Sequence, residues 1–361
     1  MNTQAKILII RATEDPHADA VCWGLRQLGC EAVVWDWSNF PKADMGFLAL
    51  AGDTSPAFGI SIDGVLHTAP FDVIWVRRKA SPTPMVPCHP DDVDVIGREA
   101  QAFIDNMLPF LGDAHTRWVN EIHGDQQCTV KMHQLHVASQ LGFTIPDTLV
   151  GNDLQRVAAF FAEHHNRVVH KSLRSAHWDN EDGSRTVART SRITAAHLAS
   201  EYAVRACPGI YQPLIAKQYE LRVTVMGESV IAAAIDSQRD GETVDWRMEG
   251  GRGVTNIRAI DIGPELAAMC LALCRRLHLN FGCIDLIVGV DDVVTFLEVN
   301  NIGQFLWKEL GDASIPTLDT FCRYLLDASY TVTTDTIPRL HMADFLAQVR
   351  AASAQADAIP A

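Results

Sequence analysis

Two segments rich in β-branched and other apolar residues, 283–290 and 293–300, flank the acidic dipeptide Asp291-Asp292. This pattern predicts two antiparallel strands joined by a two-residue hairpin loop. The position of the loop then determines which residues of the two strands lie opposite each other.

A two-residue loop sets Asp285 directly opposite Glu298. Because side chains alternate between faces, Phe296, Glu298 and Asn300 are expected on one face, with Leu297 on the other. Two facing carboxylates repel each other unless a cation lies between them, and Mg²⁺ prefers oxygen ligands of this kind. Asp285, Glu298 and Asn300 are therefore candidate magnesium ligands, with a solvated polar face of an edge hairpin as the structural alternative.

Strand-like and helix-like segments alternate before the hairpin, which predicts an α/β protein with α+β lobes. The expected parts are an N-terminal α/β domain (1–118), a central lobe (119–205), a C-terminal lobe (206–329) and an appendage (330–361). One helix is expected over 125–141. No G-x-G-x-x-G sequence opens the chain, so a dinucleotide-binding fold is not indicated.

The chain has 361 residues, 48% hydrophobic and 20% charged, enough for two or three domains with a sizeable core. A net charge of −14 argues against nucleic acid or an anionic membrane as a partner, because clustered Lys and Arg hold both. No apolar run has the length of a signal-peptide core or a membrane span, which indicates a cytoplasmic protein. The nine cysteines lack zinc-type spacing and indicate neither disulfides nor a structural metal.

Two lysines of the central segment are candidates for a phosphate site. Lys171 ends a predicted strand just before a polar loop, and Lys131 lies in the helix that opens the same segment. Each one alone is typical of a surface lysine. As a pair in one lobe, they can clamp a polyphosphate.

Glu220 and Arg222 share one face of a predicted strand. The functional interpretation assigns Glu220 to ribose hydroxyls and Arg222 to a phosphate or a developing acyl phosphate, while the alternative is a surface ion pair. Arg247 precedes Gly250-Gly251, a backbone that an anion can approach closely. Arg222 and Arg247 are therefore the candidate catalytic residues.

The peptide Gln-Pro-Leu-Ile that begins at Gln212 offers backbone groups to adenine, with Leu214 near its centre. A structural linker explains this peptide equally well. Arg77 and Arg78 follow the C-terminal end of a predicted strand, the edge where open α/β sheets bind ligands. They are candidates for binding a carboxylate-rich substrate, with a solvated strand end as the alternative.

Together these residues resemble the ATP-grasp superfamily over the region 120–328. The residues in the family's order are Lys131, Lys171, 212–215, Glu220, Arg222, Arg247 and the D-x12-E-x-N triplet of Asp285, Glu298 and Asn300. Within the superfamily, the sequences QPLI…ELRV…DWR, FLEVN…GQFLW and IWVRR resemble the microviridin-type peptide ligases. One departure is Asn301, where the family pattern has proline.

The resemblance implies an ATP-grasp fold and an ADP-forming ligase of graspetide biosynthesis. Such an enzyme uses ATP and two Mg²⁺ ions to phosphorylate Asp or Glu side chains of a ribosomally made precursor peptide. It then joins the acyl group to Thr or Ser hydroxyls or to Lys amines, as an ω-ester or ω-amide. The implied partner has a leader and an acidic core, and a homodimer is a candidate assembly.

Two other functions share parts of this pattern. A ligase resembling the ribosomal-protein glutamate ligases adds an amino acid to a carboxyl terminus, and fold alone does not separate it from a macrocyclase. A non-catalytic nucleotide-binding subunit is expected to have lost a metal ligand or a phosphate lysine, and all of them are present here. The sequences WVRR and Gly303-Gln304 favour peptide cyclisation.

Overall fold

The computed structural model describes residues 5–52, 55–83, 87–174, 177–237, 244, 256–333 and 337–357. Helices and strands are mixed along them, which confirms the predicted α/β fold class. We call the regions around the three main sheets the N-terminal domain, the central lobe and the C-terminal lobe. No helix among them is both long enough and apolar enough to cross a membrane.

The strands of the N-terminal domain are β1 (Ile7–Arg11), β2 (Val33–Asp36), β3 (Met45–Ala49), β4 (Ala57–Ile62), β5 (Val65–Thr68), β6 (Val73–Val76) and β7 (Arg117–Val119), and its helices are α1 (Pro16–Gln27) and α2 (Val93–Met107). A parallel sheet has the order β2-β1-β6-β7, and β3-β4-β5 form a separate antiparallel sheet. Strand β1 is a continuous apolar run because both faces of the parallel sheet are covered. Asp15 caps α1 by accepting hydrogen bonds from the backbone of His17 and Ala18 at 3.0 and 3.2 Å.

The central region contains α3 (Ile122–Cys128), α4 (Lys131–Gln140), β8 (Leu149–Gly151), α5 (Leu154–Glu163), β9 (Val168–Lys171), β10 (His177–Asp179), β11 (Arg185–Val187), β12 (Ser191–Arg192), α6 (Glu201–Ala206) and β13 (Gly209–Pro213). Its main sheet has the order β12-β9-β13-β8, and β10 pairs with β11 in a hairpin. The prediction of a single helix over 125–141 is wrong, because α3 ends before Thr129 and Val130 is extended before α4 begins. Helix α4 packs on the C-terminal sheet through Leu135 and Ala138.

The C-terminal lobe and chain end contain β14 (Lys217–Met226), β15 (Ser229–Ile235), β16 (Ile257–Ala259), α7 (Gly263–Arg276), β17 (Phe281–Gly289), β18 (Val294–Asn300), α8 (Trp307–Gly311), α9 (Thr317–Leu326) and α10 (Met342–Asp357). The strands form one antiparallel sheet in the order β16-β15-β14-β17-β18. Val223 and Ile284 lie on its apolar face, which packs on Leu273 of α7. Because side chains alternate, Glu220 and Arg222 lie on the opposite face of the same sheet.

The predicted hairpin of β17 and β18 is present, but its loop is longer than two residues. Val288 pairs with Val294, and farther along the strands Asp285 pairs with Glu298. The register shifts by one residue between these pairs, at a β-bulge formed by Leu297. The longer loop and the bulge offset each other, so the predicted pairing of Asp285 with Glu298 is confirmed.

The bulge changes which side chains share a face with the carboxylates. Phe296 is buried in the apolar core together with Val299, whereas Leu297 lines the cleft beside Glu298. The prediction that Phe296 shares a face with Glu298 is therefore wrong, because the extra residue interrupts the alternation between faces.

An apolar cluster crosses from the N-terminal domain into the C-terminal lobe. The ring of Trp75 lies 4.7 Å from that of Phe321 on α9, and Phe321 lies 5.2 Å from Phe281 on β17, measured between centroids. This packing holds the end of β6, with Arg77 and Arg78, beside the polar face of the C-terminal sheet.

The chain end is packed onto the N-terminal domain. Leu340 and Phe345 are buried in the same apolar cluster as Trp23, and Trp23 Nε1 donates to Gln348 Oε1 at 2.6 Å. The segment 330–361, expected as an appendage, thus contributes helix α10 to the N-terminal core.

Candidate active site

A cleft of about 520 Å³ lies between the central sheet and the C-terminal sheet. Its volume falls within the range of about 300–1,000 Å³ that is usual for small-molecule sites. The residues of the predicted site that line it are Lys131, Lys171, Gln212, Leu214, Glu220, Asp285, Glu298 and Asn300. The fold therefore brings together side chains that are far apart in the sequence.

The candidate metal ligands are neighbours on β17 and β18. Asp285 pairs with Glu298, and Asn300 Nδ2 donates to Asp285 Oδ2 at 2.8 Å. Among the described residues, no three His, Cys, Asp or Glu side chains are grouped to hold a metal. Mg²⁺ does not need such a group, because it is commonly held by one or two carboxylates with phosphates and water. Two carboxylates and an amide fit magnesium that binds together with a nucleotide.

Each candidate carboxylate contacts a cationic side chain. Lys131 Nζ lies 3.0 Å from Glu298 Oε2, and Arg222 Nη1 donates to Asp285 Oδ1 at 2.5 Å. Burial favours the neutral form of Arg222, but Asp285 and other neighbours outweigh burial and raise the pKa of Arg222 above its ordinary value. The two cations offset the repulsion between the facing carboxylates, so a metal ion has to share these oxygens with them.

Glu220 is held by a lysine that the sequence analysis missed. Lys217 Nζ donates to Glu220 Oε1 at 2.5 Å, and Ser237 Oγ donates to the same oxygen at 3.0 Å. Burial raises the pKa of Glu220, while Lys217 acts in the opposite direction. Residues three apart on a regular strand face opposite sides, but a bulge between Lys217 and Tyr219 brings Lys217 to the face of Glu220.

The two lysines predicted to share a lobe lie on different walls of the cleft. Lys171 ends β9 in the central sheet, whereas Lys131 begins α4, which packs on the C-terminal sheet. A phosphate chain lying across the cleft can therefore contact both ammonium groups.

Gln212 and Leu214 lie at the end of β13 and in the segment that follows it. Gln212 Nε2 donates to Thr148 Oγ1 at 2.9 Å, and the Leu214 N–H donates to the Arg167 carbonyl at 2.7 Å. These donors are engaged within the lobe, which leaves the side chain and carbonyl group of Leu214 for any contact with a ligand. Val169 adds an apolar side chain to the same wall.

Solved structures with a similar overall shape are ligases. One is an ATP-grasp ligase from Chryseobacterium gregarium that is associated with ribosomally made modified peptides, in complex with ADP and a leader and core peptide. The match covers 91% of this chain and 98% of that protein, with a TM-score of 0.81 and 25% identity. The macrocyclase MdnC from Microcystis aeruginosa, bound with the precursor peptide MdnA, is similar over 90% of this chain and 100% of its own, with a TM-score of 0.79 and 25% identity. The chain has the ATP-grasp fold. The expected resemblance to ATP-grasp ligases of peptide maturation is thereby confirmed.

The ATP-grasp ligase PsnB, in complex with a phosphomimetic variant of a minimal precursor, Mg and ADP, is also similar in fold. The match covers 91% of this chain and 100% of PsnB, with a TM-score of 0.67 and 23% identity. No protein-family model and no curated protein matches the chain.

In this ATP-grasp structure, Arg77 and Arg78 follow β6 in the N-terminal domain and are not among the residues that line the cleft. Arg77 is 2% exposed, and its Nη1 donates to the Ile302 carbonyl at 2.7 Å. Arg78 is 44% exposed, with Nε 3.7 Å from Asp15 Oδ2. Arg77 thus joins the N-terminal domain to the loop after β18, while Arg78 presents a more accessible guanidinium.

A second lysine missed by the sequence analysis is buried behind Arg222. Lys308 is 0% exposed and donates to Thr224 Oγ1 at 2.5 Å. Burial lowers the pKa of Lys308 to about 8. Thr224 shares a face of β14 with Arg222, so Lys308 adds positive charge beneath the site. Arg247 lies outside the described residues, and its catalytic role stays a prediction.

Proposed function

We propose that this chain is an ADP-forming ligase that activates Asp or Glu side chains of a ribosomally made precursor peptide and joins them to Thr or Ser hydroxyls or Lys amines. The cleft that gathers two lysines, two facing carboxylates and Asn300 between the lobes carries this proposal. The similarity to a macrocyclase and to a peptide-bound ATP-grasp ligase supports a peptide as the substrate.

The cleft residues are suited to binding ATP. Lys131 and Lys171 approach the polyphosphate from opposite walls, and Glu220, oriented by Lys217, accepts hydrogen bonds from ribose hydroxyls. Leu214 contacts the base. Magnesium bound at Asp285, Glu298 and Asn300 would neutralise phosphate charge during transfer.

The acceptor carboxylate enters from the side of the N-terminal domain. A carboxylate is a poor electrophile, and phosphorylation turns it into an acyl phosphate that a hydroxyl or amine can attack. Arg222 lies beside Asp285 and orients the reacting groups by its charge. Arg78 binds the incoming acidic side chain, Arg77 fixes the loop after β18, and Arg247 remains a candidate for stabilising the acyl phosphate.

We further propose that the enzyme binds two Mg²⁺ ions and that its precursor has a leader and an acidic core. We also propose that it forms a homodimer and is located in the cytoplasm, where ATP is available. Light scattering of the purified protein measures its mass in solution and tests the dimer. Titration of the ATP complex with Mg²⁺ gives the number of ions bound.

The direct test is incubation with ATP, Mg²⁺ and the precursor encoded beside this chain's gene, followed by mass spectrometry. We expect ADP formation and a loss of one water per crosslink. A mass gain equal to an amino-acid residue would instead identify a ligase that extends carboxyl termini. No ADP formation with any peptide would contradict the proposal.

Variants of the metal ligands test the site itself. Glu298→Ala and Asn300→Ala are expected to abolish Mg²⁺-dependent ADP formation while the protein stays folded. Glu228→Gln is the control, because Glu228 forms an exposed ion pair with Arg275 outside the cleft. Unchanged turnover in both cleft variants would refute the metal assignment.

A further inference from the structure

Several buried polar atoms without hydrogen-bond partners are concentrated between the N-terminal domain and the C-terminal lobe. Of the twelve such side-chain atoms among the described residues, five belong to this cluster. They are Asp15 Oδ2, His17 Nδ1, Arg77 Nε, Arg77 Nη2 and Arg222 Nε. Buried polar groups are normally paired, so a cluster of unpaired ones indicates a place for a polar ligand.

The cluster is built around the start of helix α1. Asp15 caps the helix, and Arg77 Nε lies 3.3 Å from Asp15 Oδ1 without hydrogen-bond geometry. Arg78 approaches the other oxygen of Asp15 at 3.7 Å. His17 is the second residue of the helix, and its backbone N–H donates to the same Asp15 Oδ1 that Arg77 Nε approaches. The twelve-residue helix adds the partial positive charge of its N-terminus.

The same cluster adjoins the proposed acyl-transfer site. Arg222 links Asp285 to the Gln304 carbonyl, with contacts of 2.5 and 3.2 Å. The next residue, Phe305, packs against His17 with ring centroids 5.3 Å apart. His17 therefore packs against the loop whose Gln304 carbonyl accepts a hydrogen bond from Arg222.

Burial, reinforced by neighbouring arginines, disfavours protonation of the His17 imidazole. Burial, followed by Arg77, lowers the pKa of His17 to about 3, with smaller contributions from Arg78 and Arg222 in the same direction. Among the described residues with the largest effects on this pKa, Asp15 acts in the opposite direction. A neutral imidazole can accept a proton, and at neutral pH no other proton has to leave it first.

We propose that His17 accepts the proton of the hydroxyl or amine that attacks the acyl phosphate, while Arg77 and Arg222 face the anion. This inference rests on the proposed ligase function and names the general base that the sequence does not reveal. The nucleophile forms a bond to the acyl carbon, and the bond from this carbon to the phosphate oxygen breaks. Phosphate leaves with the electron pair, and the proton of the nucleophile passes to His17 and then to solvent.

The arginines also make protonation of His17 depend on the bound anion. Without substrate their positive charge opposes protonation of His17. An acyl phosphate beside Arg77 and Arg222 would offset that charge, while burial, the larger cause of the low pKa, remains. His17 is therefore a stronger base with the acyl phosphate bound than without it.

The test separates the two halves of the reaction in His17→Asn and His17→Gln. Acyl phosphate formed from ATP and the precursor is trapped with hydroxylamine, and crosslinks are counted by loss of water. Trapping is expected to stay within about threefold of the unmodified protein, while crosslinking falls by about 10²–10⁴, the usual contribution of a general base. Added imidazole is expected to restore part of the crosslinking in His17→Ala.

His136→Gln is the matched control, because His136 is exposed on α4 away from the cluster. Equal losses of trapping and crosslinking in the His17 variants would show a binding or folding role and overturn the inference, as would unchanged crosslinking. If the unmodified protein forms neither hydroxamate nor crosslinks, the proposed function itself fails and the inference fails with it.

Discussion

Replacing Lys131 with methionine should change metal binding and nucleotide binding in opposite directions. Lys131 Nζ lies 3.0 Å from Glu298 Oε2, so in the absence of ATP the lysine competes with Mg²⁺ for this oxygen. When ATP is bound, the same ammonium is expected to contact the phosphates. Lys131→Met keeps the length of the side chain and removes both interactions.

The size of each effect follows from the exposure of the pair. The side chains of Lys131 and Glu298 are 28% and 21% exposed, which places the pair between surface and buried ion pairs. Its net contribution is therefore about 1 kcal/mol, and its loss should strengthen Mg²⁺ binding to the nucleotide-free protein about fivefold. Loss of a charge-assisted contact to phosphate costs about 1.5–3 kcal/mol, which weakens ATP binding about 10- to 150-fold.

Isothermal titration measures both affinities, first with MgCl₂ alone and then with ATP at saturating Mg²⁺. The matched control is Lys79→Met, which breaks an ion pair with Asp125 of similar length, 3.1 Å, that includes no candidate metal ligand. It should leave both affinities unchanged. Weaker Mg²⁺ binding in nucleotide-free Lys131→Met would refute the competition between lysine and metal.

Three further substitutions test contacts around the site. Burial lowers the pKa of Lys308 to about 8 from 10.5, so between these pH values the unfolded chain binds a proton that the folded chain does not, and stability should rise with pH. Lys308→Met should abolish this rise. At pH 7 its free energy of unfolding should exceed that of the unmodified protein by about 2 kcal/mol, after allowing for the lost hydrogen bond to Thr224. Urea unfolding of both proteins at pH 7 and 10 measures the difference. Lys217→Met leaves the buried Glu220 carboxylate without its cation and should cost about 3 kcal/mol of stability, seen as a lower Tm that Glu220→Gln partly restores. Gly303→Ala places Cβ 2.6 Å from Cys283 Sγ, and the resulting shift of the loop that Arg222 binds should lower ADP formation at least about tenfold.

Elements with strong periodicity were predictable from the sequence. Strand β1 and helix α7 are examples, because their apolar residues form a continuous run or repeat at helix spacing over the whole element. The sheet of β3, β4 and β5 was not predicted. Met45, Phe47 and Leu66 are exposed on it although they are apolar, so the sequence lacks the alternation of apolar and polar residues that identifies a strand.

Helix packing was less predictable than helix position. The sequence places Lys131 in a helix, and the structure agrees. Its apolar residues, however, do not specify which sheet they cover. Helix α4 packs on the C-terminal sheet and fixes β18 through Gln134, which exchanges hydrogen bonds with the backbone of Val299 at 2.7 and 3.0 Å. This long-range pairing has no local signal, and it moves Lys131 to the wall opposite Lys171.

Two β-bulges at the site could not be predicted from the sequence. The hairpin loop is longer than predicted, but the bulge at Leu297 restores the register, so Asp285 still lies opposite Glu298. The predicted alternation of faces fails at Phe296. The bulge after Lys217 has the reverse effect and creates a buried ion pair that regular alternation forbids. Bulges are set by the twist and the partners of a strand rather than by its own residue pattern, and they are frequent beside active sites. Motif spacing therefore identified the carboxylates together with Lys131 and Arg222, whereas the ion pairs between them, and Lys217 beside Glu220, emerged only from the folded chain.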